Sequence, residues 1–140
     1  WGVLEQILPL VDLVMMDLKH MDREQHRLAT GAGNELLLDN ARRLAATPTP
    51  LLFRVPVVPG VNDSPQAIGA IAEFVRGLAR ARGEDARGED ATIDLELLPF
   101  HPLGGDKYAS LGLDCRAAGM SAVRPERLAE LRRAADTGVT

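Results

Sequence analysis

Three apolar runs, each set apart from the next by helical patterning, constrain this chain more than any other feature. They are VDLVMMDLK at 11–19, LLFRVPVV at 51–58 and TIDLELLPF at 92–100. Each has the length of a strand, and the first is apolar enough for burial on both faces. Its side chains alternate, so Val11, Leu13, Met15, Asp17 and Lys19 share one face. Between the first two runs the pattern predicts a short helix over roughly 22–29, closed at Thr30-Gly31. A longer helix follows over 34–46, with Asn34 as N-cap and Leu37, Leu38, Ala41, Leu44 and Ala45 at helical spacing. TPTP at 47–50 breaks it. After the turn PGVND, Ser64 as N-cap and Pro65 at the first position start another helix. Its stripe of Ile68, Ile71, Ala72, Val75, Leu78 and Ala79 runs to about residue 80. Residues 2–9 predict the end of a helix closed by Pro9. A last helix is expected over 124–136, with Leu128, Leu131 and Ala135 inward. Strands that alternate with helices pair in parallel through right-handed crossovers, so the fold class is α/β.

Composition narrows the functional classes. A length of 140 residues suits one domain or part of a larger one, and 46% apolar residues can fill a core. The net charge of −4 and the absence of a basic run argue against a nucleic-acid surface. With no signal peptide and no apolar run long enough to span a bilayer, a cytoplasmic location is expected. Cys115 is the single cysteine, so it forms no intrachain disulfide and cannot alone hold an iron–sulfur cluster or a zinc ion. Residues 81–90 repeat ARGED twice. They carry no apolar side chain larger than alanine, and predict a solvated insertion or a charged extension of the preceding helix. The chain opens at Trp1 directly in helical patterning, as a fragment would.

Ligands of parallel sheets bind beyond the carboxyl ends of the strands, so polar residues there are the candidates. Asp17 with Lys19, Arg54, and His101 are charged or imidazole groups in apolar surroundings. Each also has a structural use: Asp17 and Lys19 as a strand-end pair, Arg54 in an ion pair, His101 as a loop histidine. Taken together, a basic pair beside one carboxylate suits a small anionic or zwitterionic ligand. Arginine grips a carboxylate through two parallel hydrogen bonds, and lysine acts as a point charge. Glu96 alternates with inward leucines, which places it on the helix-packed side of its strand, and it is assigned no catalytic part. There is no glycine-rich phosphate loop and no G-x-S-x-G elbow.

Four segments, in order, resemble one family. DLVMMDLKHMD (12–22), TGAGNELLLDNARRLA (30–45), FRVPVVPGVNDS (53–64) and ELLPFHPLGGDKYASLG (96–112) are similar to glycyl-radical-enzyme activating proteins, of which the pyruvate formate-lyase activating enzyme is the best known. The resemblance implies a partial, six-unit parallel (β/α) barrel of the radical S-adenosylmethionine type, with this chain as its carboxyl-terminal half. It implies a [4Fe–4S] cluster held by an amino-terminal C-x₃-C-x₂-C loop and S-adenosylmethionine bound at the open iron. One electron, delivered in the parent by a donor such as flavodoxin or ferredoxin, would cleave the sulfonium to methionine and a 5′-deoxyadenosyl radical. That radical would take hydrogen from a glycine of a partner enzyme such as pyruvate formate-lyase. The difficult chemistry belongs to the cofactor. Carried over by position, Asp17, Leu18 and Lys19 match the D-L-K segment that contacts S-adenosylmethionine. His101 matches the histidine of the L-L-P-F-H segment, and Arg54 matches the strand arginine. The resemblance also suggests a monovalent cation near Met15 and Asp17, and gives Lys107 and Tyr108 a loop-shaping part.

The sequence departs from that pattern where the cluster should be, since the cysteine loop and the early glycine-rich strand are absent. Residues 1–140 therefore correspond to roughly the last three units of six, with a charged insertion at 81–90. Such a piece is expected to be inactive alone, and poorly soluble or dependent on a missing half. A non-catalytic binding or regulatory module built from the same barrel is the alternative. An aldolase using Lys19 as a Schiff base ranks far below, because nothing visible lowers that lysine's pKa.

Overall fold

A computed structural model describes residues 1–85, 92–101, 105–114 and 119–137. It begins with helix α1 (Gly2–Ile7) and a short 3₁₀ turn at Leu8–Leu10, where Pro9 stops regular helix. Then come strand β1 (Val14–Asp17), helix α2 (Arg23–Thr30), helix α3 (Glu35–Ala45) and strand β2 (Leu51–Val57). Helix α4 (Pro65–Asp85), strand β3 (Ile93–Pro99), helix α5 (Gly105–Ser110) and helix α6 (Pro125–Thr137) complete the order.

The three strands form one parallel sheet in the order β1-β2-β3. Register follows the side-chain pattern. Val14 lies beside Leu51 and Leu51 beside Ile93, while Asp17 lies beside Arg54 and Arg54 beside Glu96. Leu51, Phe53, Val55 and Val57 alternate as fully buried residues along β2. They point to the helical layer, where Ile68, Ile71, Val75 and Leu78 of α4 meet Ala41 and Leu44 of α3 and Leu128 and Leu131 of α6. The intervening residues of β2 (Leu52, Arg54 and Pro56) are only half-buried. With Met15, which is 56% exposed, they mark the opposite, open face of the sheet.

Element ends obey local chemistry. Asp22 caps α2 by accepting from the Gln25 N–H at 2.8 Å. Gly31, at φ 91°, closes the same helix in the left-handed conformation and returns its N–H to the Arg27 carbonyl. Ser64 accepts from the Ala67 N–H at 3.1 Å, as the sequence predicts for the start of α4.

Two expectations change. β1 is shorter than residues 11–19, its ladder with β2 running only from Val14 to Asp17. The segment GDKYAS forms α5, a single helical turn or so, where a loop is predicted. α4 takes in the first ARGED copy as a charged extension of the helix, one of the two readings of that repeat. Within it Arg82 is buried rather than solvated, and donates to the carbonyls of Leu44, Ala45, Thr49 and Thr92 at 2.9–3.2 Å. Burial of this guanidinium lowers its pKa. Cys115 and the second ARGED copy lie outside the described residues.

Candidate functional site

The carboxyl ends of β1 and β2 bring three of the candidate side chains together. Asp17 is the last residue of β1, and its neighbour in register on β2 is Arg54. The Arg54 guanidinium donates through Nη2 to Asp17 Oδ1 at 3.1 Å, and Lys19 Nζ donates to Asp17 Oδ2 at 3.0 Å. One carboxylate thus holds two cations, one on each oxygen. All three side chains are partly exposed, with Asp17 at 32% and Arg54 at 34%. Such pairs contribute little to stability. Arg54 Nε is nevertheless buried without a hydrogen-bond partner among the described residues. A buried donor left over after protein pairing is costly unless something else satisfies it.

The other candidates sit differently. Leu18 is 1% exposed, with its side chain in the helical-side core and its N–H on the Arg54 carbonyl at 2.8 Å. Only its main chain is available to a ligand. Met15 stands on the open face, one alternation before Asp17. His101 is exposed just past β3, whose end is tied to β2 by Phe100 N–H donating to the Val57 carbonyl. Among the described residues, no hydrogen bond or ion pair links His101 to Asp17, Lys19 or Arg54. Lys107 and Tyr108 are exposed on α5. Glu96 corrects the expectation for β3: it is exposed and in register with Arg54 on the open face, while Leu95 and Leu97 face the helices.

Sequence reasoning missed two buried asparagines beside the candidates. Asn62, 1% exposed, lies in the turn after β2. Its Nδ2 donates to the carbonyls of Lys19 (2.8 Å) and Pro56 (2.9 Å), and its Oδ1 accepts from Val58 N–H at 2.7 Å. Asn34 occupies the expected N-cap position of α3, but its side chain makes no cap bond. It donates instead to the carbonyls of His20 (3.1 Å) and Met21 (2.7 Å). The signal available in the sequence was the pairing of each asparagine with a glycine-bearing turn immediately after or between periodic segments.

Two cavities open elsewhere. One of about 500 Å³ lies along the free edge of β3 against α4 and α6; the other, of about 650 Å³, lies at the start of α6 beside Asp63. Neither is lined by the candidate residues. Among the described residues, no cluster of three or more His, Cys, Asp or Glu could hold a metal ion. No helix among them is long and apolar enough to cross a membrane.

The chain is thus a parallel α/β domain carrying a charged cluster where its strands end. No protein-family model matches it. It is 35% identical, over 132 residues, to the 4-hydroxyphenylacetate decarboxylase activating enzyme of Clostridioides difficile strain CD196, a match covering 93% of this chain and 38% of that protein. It is 36% identical over 113 residues to the (2S)-3-sulfopropanediol dehydratase activating enzyme of Klebsiella oxytoca, covering 81% of this chain and 33% of that one. The pyruvate formate-lyase-activating enzyme of Streptococcus mutans is 28% identical over 124 residues, covering 89% of the chain and 43% of the relative. A crystal structure of a domain of pyruvate-formate lyase-activating enzyme from Bacteroides vulgatus shares the fold, with a TM-score of 0.68 at 23% identity over 96% of this chain and 68% of that one. The homologues of this chain are glycyl-radical-enzyme activating enzymes. The chain spans between a third and somewhat over two fifths of the length of these relatives.

Proposed function

We propose that these residues are the carboxyl-terminal part, about three β/α units, of a partial parallel barrel that activates a glycyl-radical enzyme with S-adenosylmethionine. One observation carries the reading: Asp17 holds Lys19 and Arg54 at 3.0 and 3.1 Å on the open face, at the carboxyl ends of parallel strands. An amino-acid ligand with a positive sulfonium suits that cluster. Its carboxylate complements the Lys19 ammonium and the Arg54 guanidinium, whose buried Nε–H has no acceptor among the described residues. Asp17 offers acceptor oxygens to amino or hydroxyl groups. The main chain at Leu18 and the His101 ring, one strand over, complete the contacts. The carbonyl of Met15 and the Asp17 carboxylate suit a monovalent cation beside the ligand.

The cluster that the family resemblance implies does not fit this sequence. Its only cysteine is Cys115, and three thiolates are needed. We assign no step to these residues through the cluster, and expect the 140 residues to be inactive unless a cluster-bearing half is supplied. Bound in the cradle, S-adenosylmethionine would supply the radical that takes hydrogen from a glycine of the partner. The residues here bind, orient and neutralise charge around it. The partner is a glycyl-radical enzyme as a class, since the relatives' names span a decarboxylase, a dehydratase and pyruvate formate-lyase. We place the reaction in the cytoplasm, with a flavodoxin- or ferredoxin-like electron donor.

A second reading is a non-catalytic module that grips the same partner. One experiment separates the two. The chain is combined with the cluster-bearing half of an activating enzyme, S-adenosylmethionine, a reductant and a glycyl-radical enzyme. A glycyl radical signal in electron paramagnetic resonance, with 5′-deoxyadenosine formed, is the expected result. Partner binding with neither product would leave the non-catalytic module.

A further inference from the structure

Beyond the contacts already assigned, we infer that Asn62 is a positioning residue that sets Lys19 in the ligand cradle; this rests on the function proposed above. After β1 the chain leaves the sheet, and nothing in its secondary structure fixes residues 19–21. Three consecutive carbonyls there are nevertheless held by two buried carboxamides. Asn62 takes Lys19, and Asn34 takes His20 and Met21. The two come from different turns, Asn34 from the start of α3 and Asn62 from the turn between β2 and α4.

Asn62 does more than cover a carbonyl. Its three bonds tie the exit of β1, through Lys19, to both main-chain groups flanking the exit of β2, Pro56 and Val58. Both Nδ2 protons and Oδ1 are engaged, so the side chain has one satisfied orientation. A buried amide in a low-dielectric site holds its partners firmly and tolerates no substitute of different donor pattern. The Lys19 side chain is long and 41% exposed, so its ion pair with Asp17 restrains it only weakly. Fixing its main chain limits where Nζ can reach and keeps it beside Asp17 and the Arg54 strand. A side chain that merely stabilises the fold would move melting behaviour alone. One that positions Lys19 changes ligand affinity through Lys19.

The test is a double-mutant cycle on S-adenosylmethionine affinity. It is read by titration calorimetry on the cluster-loaded protein carrying this sequence, next to each variant's melting curve. Asn62→Ala is expected to weaken binding by roughly tenfold, and to have little further effect when Lys19→Ala is already present. Asn62→Asp, which keeps the size and the acceptor but loses both donated bonds, is expected to behave like Asn62→Ala. Unchanged affinity in folded Asn62 variants overturns the inference. So does a loss that persists undiminished in the Lys19→Ala background, or failure of both variants to fold, since each makes the residue structural. Wild-type protein that binds no S-adenosylmethionine removes the proposed function itself, and the inference with it.

Discussion

At the scale of single residues, the most consequential side chain outside the cradle is Arg82. A guanidinium presents donors in a fixed planar fork, and here that fork is spent on main-chain carbonyls from three places. Leu44 and Ala45 end α3, Thr49 lies in the connection to β2, and Thr92 precedes β3. The carbonyls at a helix end have no intrahelical partner, so Arg82 both caps α3 and ties the amino ends of two strands to α4. Arg82→Met keeps much of the buried stem and removes the donors. We expect it to destabilise the fold by about 2–4 kcal/mol, read as a lower denaturant midpoint. Wild-type stability in this variant would refute the capping role. Residues of this kind are hard to find in sequence. Arg82 sits in a charged repeat that suggests solvent, and its partners lie 10 to 38 positions away. Asn62 hides in the same way inside PGVND, whose composition announces a turn and nothing about burial.

At the scale of elements, patterning carried most of the fold. Strands β2 and β3, the helices α3, α4 and α6, and the parallel pairing all follow from alternation, helical spacing and caps that operate locally. α5 escaped because GDKYAS offers no apolar stripe, and its described residues are exposed, so nothing in composition separates it from a loop. The face of Glu96 was misjudged because alternation says which residues share a side but not which side meets the helices; the register with Arg54 decides it. The helix surfaces carry their own electrostatics. Arg27 holds the Glu24 carboxylate below the usual glutamate range. For Glu35 the main depression comes from its own main-chain N–H at the start of α3, with Arg23 adding to it. Arg80, then Arg76, does the same for Glu73. A carboxyl group whose pKa is lowered by folding stabilises the fold fully above its unfolded pKa, and that contribution is lost as pH falls through the folded value. The melting temperature is therefore expected to be flat above about pH 6 and to decline as pH drops below about 4.5. All three groups are solvent-exposed, so the decline should shrink in 1 M salt, as screened surface pairs do. A decline that salt leaves untouched would point to buried groups instead.

At the scale of the whole molecule, one asymmetry links fold to function. Helices cover one face of the sheet, and the other shows Met15 exposed and Leu52, Arg54 and Pro56 partly exposed. In the partial barrel proposed above, this face, with its charged cluster at the carboxyl end, would form part of the inner wall. The candidate site was legible to that extent. Asp17, Lys19 and Arg54 were identified from strand-end position and charge, and they do meet. His101 is exposed just past β3, and among the described residues no hydrogen bond or ion pair joins it to the other three.

The central claim is that the Asp17–Lys19–Arg54 cluster holds S-adenosylmethionine. Its most direct test is the dissociation constant of that ligand for the cluster-loaded protein carrying this sequence, wild type against Arg54→Ala. Losing the guanidinium that faces the ligand carboxylate should weaken binding at least about tenfold, the cost of one charge-assisted hydrogen bond. The melting temperature should change little, since the Arg54–Asp17 pair is partly exposed. Equal affinities in two folded proteins would contradict the claim.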